Sequence, residues 1–131
     1  MTNGSLYERQ LKHLLQDAGC LVVRSAGSLA IDLVAIREIN GRQMTFLIEV
    51  KSYKTKRFYP SKTSKIKAQW AEMKRLENRF WKNGMGTVLV YYALHKKNKG
   101  WAISLPSNLD MPELHSNLTV WLKNIKSGGM T

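Results

Sequence analysis

The chain has 131 residues, enough for one domain with a genuine hydrophobic core. Hydrophobic residues make up 44% and charged residues 23%, which is ordinary for a globular protein, and no apolar run is long enough to span a membrane. The 21 Lys and Arg residues against 9 Asp and Glu give a net charge of +12, whose self-repulsion opposes folding and indicates a polyanionic partner. We expect nucleic acid ahead of an anionic membrane; the alternative is a ribosome-associated or simply basic protein.

The N-terminus and the cysteine content indicate where the protein works. The opening M-T-N-G-S-L-Y-E-R lacks the basic and then apolar layout of a secretory signal peptide. Cys20 is the single cysteine, so no internal disulfide can form, which fits a reducing compartment. Together with the positive charge, these features lead us to expect a cytoplasmic protein that associates with DNA and not with membranes.

The hydrophobic pattern predicts helices and strands in an α-β-β-β-α-β-β-α order. A capping box of Ser5 and Glu8 opens the first helix. The predicted elements are a helix from Ser5 to Gly19, strands at Cys20–Arg24, Ala30–Arg37 and Met44–Lys51, a helix from Ser64 to about Lys82, strands at Thr87–Leu94 and Trp101–Leu105, and a short helix near Leu118–Lys126. We expect the strand at Cys20–Arg24 to be buried. This order predicts a mixed sheet of five strands with helices on its faces.

The hairpin between Ala30 and Lys51 is the most informative stretch. Asn40-Gly41 between two apolar, β-branched runs is a strong signal for a two-residue turn. Such a turn pairs Ile39 with Arg42, so that the numbers of facing residues sum to 81. Asp32 is therefore predicted to face Glu49 on one side of the sheet, with Cβ atoms about 5 Å apart.

Two facing carboxylates repel, so their charge must be compensated. Lys51, on the same face as Glu49, is one candidate, and a divalent cation is the other, because Mg²⁺ favours a few carboxylate oxygens plus retained waters. Asp32, Glu49 and Lys51 follow the D-(x)n-(D/E)-x-K pattern of metal-dependent nucleases. In that chemistry the acids hold Mg²⁺ against a scissile phosphate, and the lysine orients water and offsets transition-state charge. The alternative is a half-exposed polar face with a Glu–Lys surface pair.

Three residues outside the hairpin are further candidates. Glu8 is either a third carboxylate that reaches the metal or a water, or the reciprocal arm of the capping box with Ser5. Arg9 and Arg24 are candidates to clamp phosphates through their bidentate guanidinium groups, and otherwise they are surface arginines.

A basic run follows the hairpin and contains no acid between Val50 and Ala71. Its seven bases are Lys51, Lys54, Lys56, Arg57, Lys62, Lys65 and Lys67. The run predicts a track for a DNA backbone leading into the site, with a solvated face as the alternative. The interleaved Tyr53, Phe58 and Tyr59 either stack on unpaired bases or pack against the domain's own core.

The second helix carries an apolar stripe that is predicted to be its core face. Its members are Ile66, Trp70, Met73, Leu76 and Phe80. Trp81 adds more apolar surface than one face needs, and we therefore expect part of this helix to meet a partner subunit.

Four stretches occur in a fixed order: Glu8-Arg9, V-V-R-S-A-G-S at Val22–Ser28, I-D-L-V-A at Ile31–Ala35, and I-E-V-K-S at Ile48–Ser52. They resemble the archaeal-type Holliday junction resolvases of the PD-(D/E)xK nuclease superfamily. Ile31 stands where the superfamily has a proline. The resemblance covers roughly Ser5 to Arg57, and nothing beyond Pro106 is recognised.

The resemblance implies an α/β, restriction-endonuclease-like fold with a mixed five-stranded sheet flanked by helices. It implies one nuclease domain over residues 1–131, with a catalytic core of 1–105 and a C-terminal extension of 106–131. It also implies a two-fold dimer that nicks a four-way DNA junction symmetrically during recombination and repair. The alternatives are a related nuclease for other branched or damaged DNA, or a non-catalytic DNA-binding module.

The resemblance also implies roles for individual residues. The catalytic set is Glu8, Ser28, Asp32, Glu49 and Lys51. Mg²⁺, or Mn²⁺ as a substitute, is held by Asp32, Glu49 and the carbonyl of Val50, with Glu8 as a further ligand. Arg9 and Arg24 contact DNA. The charge of the basic run, and not the resemblance, predicts further DNA contacts at Lys54, Lys56, Arg57, Lys62, Lys65 and Lys67.

Overall fold

The computed structural model describes residues 3–25, 31–54, 58, 60, 64–82 and 87–128, with the side chains of all of these except residues 3–5 and 81–82. Within them the helices are α1 (Asn3–Asp17), α2 (Ser64–Lys82) and α3 (Leu118–Ser127). The strands are β1 (Leu21–Arg24), β2 (Leu33–Ile39), β3 (Arg42–Tyr53), β4 (Val88–Lys96), β5 (Gly100–Ser104) and β6 (Ser116–Asn117). Short 3-10 helices span Pro106–Asn108 and Pro112–Leu114. None of the described helices is long and apolar enough to cross a membrane.

The strands form one mixed sheet in the order β1-β2-β3-β4-β5-β6. Among the described strands, only β3 and β4 pair in parallel, and α2 is the crossover that joins them. The predicted mixed sheet is confirmed, with one more strand than expected. The extra strand, β6, pairs only Ser116 and Asn117 with β5, and two residues are too few to show a hydrophobic period.

The central hairpin has the predicted turn and register. Asn40 and Gly41 both have positive φ, 53° and 78°, as a type I′ turn requires. Ile39 pairs with Arg42, and the ladder continues in the predicted register to the pair Leu33 and Ile48.

Hydrophobic side chains pack on both faces of the sheet. On the first face, helices α1 and α3 cover the sheet, and the core there includes Leu11, Leu15, Phe46, Trp121 and Ile125. On the second face, α2 packs through fully buried Met73, joined by partly buried Trp70, Leu76 and Phe80. This confirms the apolar stripe of α2 as a core face. The Trp70 indole N–H also donates to the carbonyl of Pro106 at 2.7 Å, so Trp70 is engaged within its own chain.

Two local expectations were wrong. Helix α1 begins at Asn3, before Ser5, so Ser5 lies inside the helix and cannot be its cap. Strand β1 is not buried, because Leu21 and Val23 are 66% and 51% exposed and only Val22 packs into the core. The physical reason is that β1 is an edge strand, which pairs with β2 alone and is covered on the first face only.

Candidate active site

Two acidic side chains meet at the end of the hairpin opposite its turn, which we call the carboxylate end. Strand β2 begins at Leu33, so the ladder stops one pair short of the expected pairing of Asp32 with Glu49. Instead the Asp32 N–H donates to the Ile48 carbonyl at 3.0 Å. The Asp32 carboxylate in turn accepts the Val50 N–H at 2.8 Å. The facing pair was therefore wrong in detail, yet the Asp32 and Glu49 carboxyl groups are still close enough for Asp32 to raise the pKa of Glu49.

Glu49 is the buried centre of this cluster, with only 3% of its surface exposed. The Lys51 ammonium lies 3.7 Å from Glu49 Oε2, and the side-chain amide of Gln69 donates to the same oxygen. Burial, followed by the hydrogen bond and charge of Asp32, raises the pKa of Glu49 to about 9, and Lys51 opposes this shift. Without a cation, Glu49 therefore holds a proton more strongly than an exposed glutamate does.

Glu8 reaches the same cluster from α1. Burial, then the hydrogen bond and charge of Asp32, raise the pKa of Glu8 above its usual value, while Arg24 lowers it. The Arg24 guanidinium donates to Glu8 Oε2 at 3.0 Å. The side chain of Glu8 thus joins α1 to β1 and to Asp32, and it is not the reciprocal arm of a capping box.

The donor set fits a divalent cation at Asp32 and Glu49. No three His, Cys, Asp or Glu side chains of the described residues are arranged as a ready metal site. However, Mg²⁺ commonly binds one or two carboxylates and keeps waters as its other ligands. Glu49 Oε1 is buried and receives no hydrogen bond from the described residues. An ionised, buried oxygen without a donor is costly, and either the retained proton or a cation removes that cost.

Two polar neighbours of Glu49 were missed in the sequence. Tyr92 lies beside Glu49 in the parallel register of β3 and β4, fully buried, and its hydroxyl has no partner among the described residues. Burial, with the charge of Glu49, raises the pKa of Tyr92. Gln69 directs its amide at Glu49 from α2, while its Oε1 is buried and unpaired within the described part of the chain. The pairing of β3 with β4 was the signal needed, and the sequence did not supply it.

The predicted DNA-contacting residues have different surroundings. Arg9, Lys54, Lys65 and Lys67 are exposed. Arg24 is half exposed but already paired with Glu8. The predicted residues Ser28, Lys56, Arg57 and Lys62 lie outside the described residues.

The aromatic residues of the basic run follow the packing alternative where they are described. Tyr53 and Phe58 lie edge to face with ring centroids 5.7 Å apart, and both pack against the core on the second face. Tyr59 and the side chain of Trp81 lie outside the described part of the structure.

The mixed sheet with flanking helices is the predicted restriction-endonuclease-like fold, and the acids and lysine stand at one end of its hairpin. The chain belongs to the archaeal Holliday junction resolvase (Hjc) family, whose model matches residues 1–119. The structure is similar to that of Archaeoglobus fulgidus Hjc, a Holliday junction resolvase, with a TM-score of 0.60 and 24% sequence identity over 87% of this chain and 81% of that one. This similarity shows the fold.

A sequence relative is the crossover junction endodeoxyribonuclease Hjc of Methanocaldococcus jannaschii. It is 44% identical over 59 residues, which are 45% of this chain and 41% of that protein. The match therefore spans about two-fifths of the length of the relative.

Proposed function

We propose that this chain is a divalent-metal-dependent endodeoxyribonuclease that resolves four-way DNA junctions by paired, symmetric nicks in recombination and repair. The observation that carries the proposal is the meeting of Glu8, Asp32 and Glu49 beside the Lys51 ammonium. Membership of the Holliday junction resolvase family and the name of the M. jannaschii relative support the same reaction. Each nick would leave a 5′-phosphate.

In this proposal the side chains of the carboxylate end have distinct tasks. Asp32 and Glu49 hold Mg²⁺, for which Mn²⁺ is a substitute, together with the carbonyl of Val50. When bound, the metal polarises the scissile phosphate and lowers the pKa of a water. Lys51 orients the attacking water and offsets charge on the phosphorane-like transition state. Glu8, held by Arg24, reaches the metal or the water. Ser28 is a further member of the catalytic set.

The surrounding contacts support these tasks by fixing the carboxylates. The Val50 N–H holds Asp32 at 2.8 Å, and Gln69 holds Glu49 from α2. Because a displaced ligand loses much of its effect, such supporting hydrogen bonds are part of a working site. We propose Gln69 as a positioning residue of this kind.

Partners and organisation complete the proposal. The +12 charge and the exposed Arg9, Lys54, Lys65 and Lys67 suit a DNA backbone, to which Lys56, Arg57, Lys62 and Arg24 would add. A homodimer with two-fold symmetry suits symmetric cutting of two strands. We propose one nuclease domain over 1–131 with a core of 1–105; buried Leu118, Trp121 and Ile125 support counting the segment 106–131 within it. A cytoplasmic, DNA-associated location fits this role.

The test compares a labelled four-way junction with a matching linear duplex, each with Mg²⁺ or with EDTA. We expect paired nicks on opposing strands of the junction only, and only with Mg²⁺. Cutting of both substrates would contradict junction specificity and indicate a nuclease for other DNA. Tight junction binding without any cut would contradict the enzyme and indicate a binding module.

A variant pair ties the activity to the proposed site. Asp32→Asn removes the charge at the carboxylate end and should abolish cleavage while junction binding persists. Asp17→Asn, an exposed position at the end of α1, makes the same charge change elsewhere and should cut at the wild-type rate. Equal cleavage by the two variants would rule out Asp32 as a catalytic residue.

A further inference from the structure

A cavity near the carboxylate end has a different chemistry from that of the acidic cluster. Its volume is about 170 Å³, and it is lined by Tyr7, Ser52, Tyr53, Lys54, His95 and Lys97. Among the described residues no carboxylate lines it, whereas two lysines, Lys54 and Lys97, do. The volume is below the roughly 300 Å³ at which most small-molecule sites begin, so it suits a single small anionic group better than a whole nucleotide.

The cavity is formed where the parallel strands β3 and β4 end. Ser52 lies beside His95 in the register, and the Lys97 N–H donates to the carbonyl of Tyr53 at 3.0 Å. The carboxyl ends of parallel strands are the usual place for ligands in open α/β sheets. Lysines at this edge therefore point to a ligand that is negatively charged.

Ser52 and His95 of the cavity lie on the face of the sheet opposite to Glu49. Glu49 faces α2, where it meets Gln69, whereas His95 faces α1, where its ring stacks on Tyr7. Side chains alternate along a strand, so Ser52 lies on the face opposite to Glu49 and Lys51. Neighbouring residues of α1 serve both places, since Tyr7 lines the cavity and Glu8 reaches Asp32.

His95 is held rigidly and has an unused hydrogen-bonding atom. Its ring centroid is 4.0 Å from that of Tyr7 with nearly parallel planes, and 4.9 Å from that of Trp101. Its Nδ1 is buried and has no hydrogen-bond partner among the described residues. A buried nitrogen without a partner is uncommon in folded proteins and calls for a group that binds there.

We propose that this cavity is a second phosphate site, which binds a phosphate group of the DNA other than the one being cut. Lys54 and Lys97 supply charge, and His95 and Ser52 supply directed hydrogen bonds to its oxygens. The inference rests on the proposed function in that it takes DNA as the ligand. A DNA strand bound in this cavity contacts α1 through Tyr7. Because Glu8 on the same helix reaches the carboxylate end, the bound strand is positioned relative to the acids.

The first test is junction binding in EDTA, where no cleavage is needed. Lys97→Gln should weaken binding roughly three- to tenfold at 0.1 M salt and lower the magnitude of the salt slope by about 0.9, the value for one phosphate contact. Lys99→Gln is the matched control, because Lys99 is exposed in the same turn and does not line the cavity. We expect less than a twofold change from it. Equal losses from the two variants would overturn the proposal.

The second test locates the phosphate. We measure the affinity of the wild type, Lys97→Gln and His95→Phe for a series of junctions, each with one neutral methylphosphonate at a different position. His95→Phe keeps an aromatic ring against Tyr7. We expect one position where the wild type loses affinity and both variants lose nothing further. Junctions that lack a terminal 5′-phosphate are bound in the same way. A loss of affinity with these junctions would assign the site to the end of a DNA strand, and a loss with an internal methylphosphonate would assign it to the continuous backbone. If the losses from variant and methylphosphonate simply add at every position and at the strand end, the site does not exist.

These readouts separate the second phosphate site from the proposed nuclease activity. A protein that binds junctions and never cuts them would still show the difference between Lys97 and Lys99. A protein that cuts normally while the two variants bind equally would retain the enzyme and lose the second site. Thermal melts of Lys97→Gln and His95→Phe, which should match the wild type within a few degrees, confirm that each variant is folded.

Discussion

The two ends of the central hairpin are built from the same strands, yet they differ in what their polar side chains are paired with. At the turn end, the two terminal nitrogens of the Arg37 guanidinium donate to the carbonyls of Ala18 at 2.8 Å and Lys126 at 2.9 Å, while its buried Nε has no partner among the described residues. The Asn40 amide donates to the carbonyl of Gly128 at 2.9 Å. At the carboxylate end, Glu49 Oε1 and the Tyr92 hydroxyl are buried without partners among the described residues.

The difference follows from what each end contacts. Helices α1 and α3 finish at the turn end, and their last carbonyls have no partner inside the helix. A guanidinium placed there satisfies these carbonyls and interacts favourably with both helix dipoles. At the carboxylate end, by contrast, acids are held close together in a buried place, which lowers stability. The contacts at the turn end therefore stabilise the fold, whereas the carboxylate end holds close-set acids and buried oxygens that a ligand can satisfy.

The largest expected effect is the loss of cleavage on Glu49→Gln. The amide keeps the shape of the side chain but cannot act as an anionic metal ligand, so the single-turnover rate on a junction should fall about a thousandfold or more. Glu38→Gln is the control, because Glu38 is exposed on the same hairpin away from the carboxylates. A tenfold loss or less for Glu49→Gln would contradict a role for Glu49 in holding metal.

At the turn end, Gly19→Ala should destabilise the protein by about 3 kcal/mol. Gly19 has a φ of +92°, which costs an alanine about 1–2 kcal/mol, and a Cβ there would overlap the Arg37 guanidinium. Displacing that group adds roughly 1.5 kcal/mol for a charged hydrogen bond. The measurement is the free energy of unfolding in urea.

The control for Gly19 is Gly41→Ala in the hairpin turn. Gly41 has a similar φ of +78°, but no atom of the described residues lies within 4 Å of a Cβ built there. Its loss should therefore be only the backbone cost of about 1–2 kcal/mol. Equal losses at the two glycines would mean that Arg37 contributes nothing to holding the helix ends.

The carboxylate end should also respond to pH. Above pH 4.5 an unfolded glutamate loses its proton, whereas folded Glu49 keeps it up to its pKa of about 9. The folded state thus binds more protons between these values, and stability in EDTA falls as pH rises through this window. We expect a loss of about 2 kcal/mol between pH 5 and pH 8, beneath the limit of about 1.4 kcal/mol per pH unit for one proton.

Two comparisons check the source of this pH dependence. Glu49→Gln cannot ionise, so its stability in EDTA should change little over the same range, and it should exceed that of the wild type at pH 8. Saturating Mg²⁺ should flatten the wild-type profile, because the cation replaces the proton. If the stability of Glu49→Gln fell with pH as steeply as that of the wild type, the pH dependence would belong to other groups.

Local signals in the sequence predicted the hairpin well and the carboxylate end in outline. Asn40-Gly41 determines the turn type, and the turn determines the register, so the pairing down to Leu33 and Ile48 followed from a few residues. The departure at Asp32 depends on its carboxylate accepting the Val50 N–H, which no propensity encodes. Gln69 and Tyr92 were missed because they meet Glu49 only through the α2 crossover, a contact distant along the chain.

The smallest expected effect tests the turn end at Asn40. Asn40→Gly keeps a residue that tolerates the φ of 53° but removes the amide that donates to the Gly128 carbonyl, and Gly128 lies at the C-terminus of α3. We expect a loss of about 0.5–1 kcal/mol in the free energy of unfolding, the usual net contribution of one exposed hydrogen bond. Asn98→Gly is the matched control, since Asn98 has a φ of 65° and its side chain shows no hydrogen bond among the described residues. Asn98→Gly should leave the free energy of unfolding unchanged or slightly raised. If Asn98→Gly lost as much stability as Asn40→Gly, the effect would come from glycine itself, and the Asn40 amide would contribute nothing to the stability of the turn end.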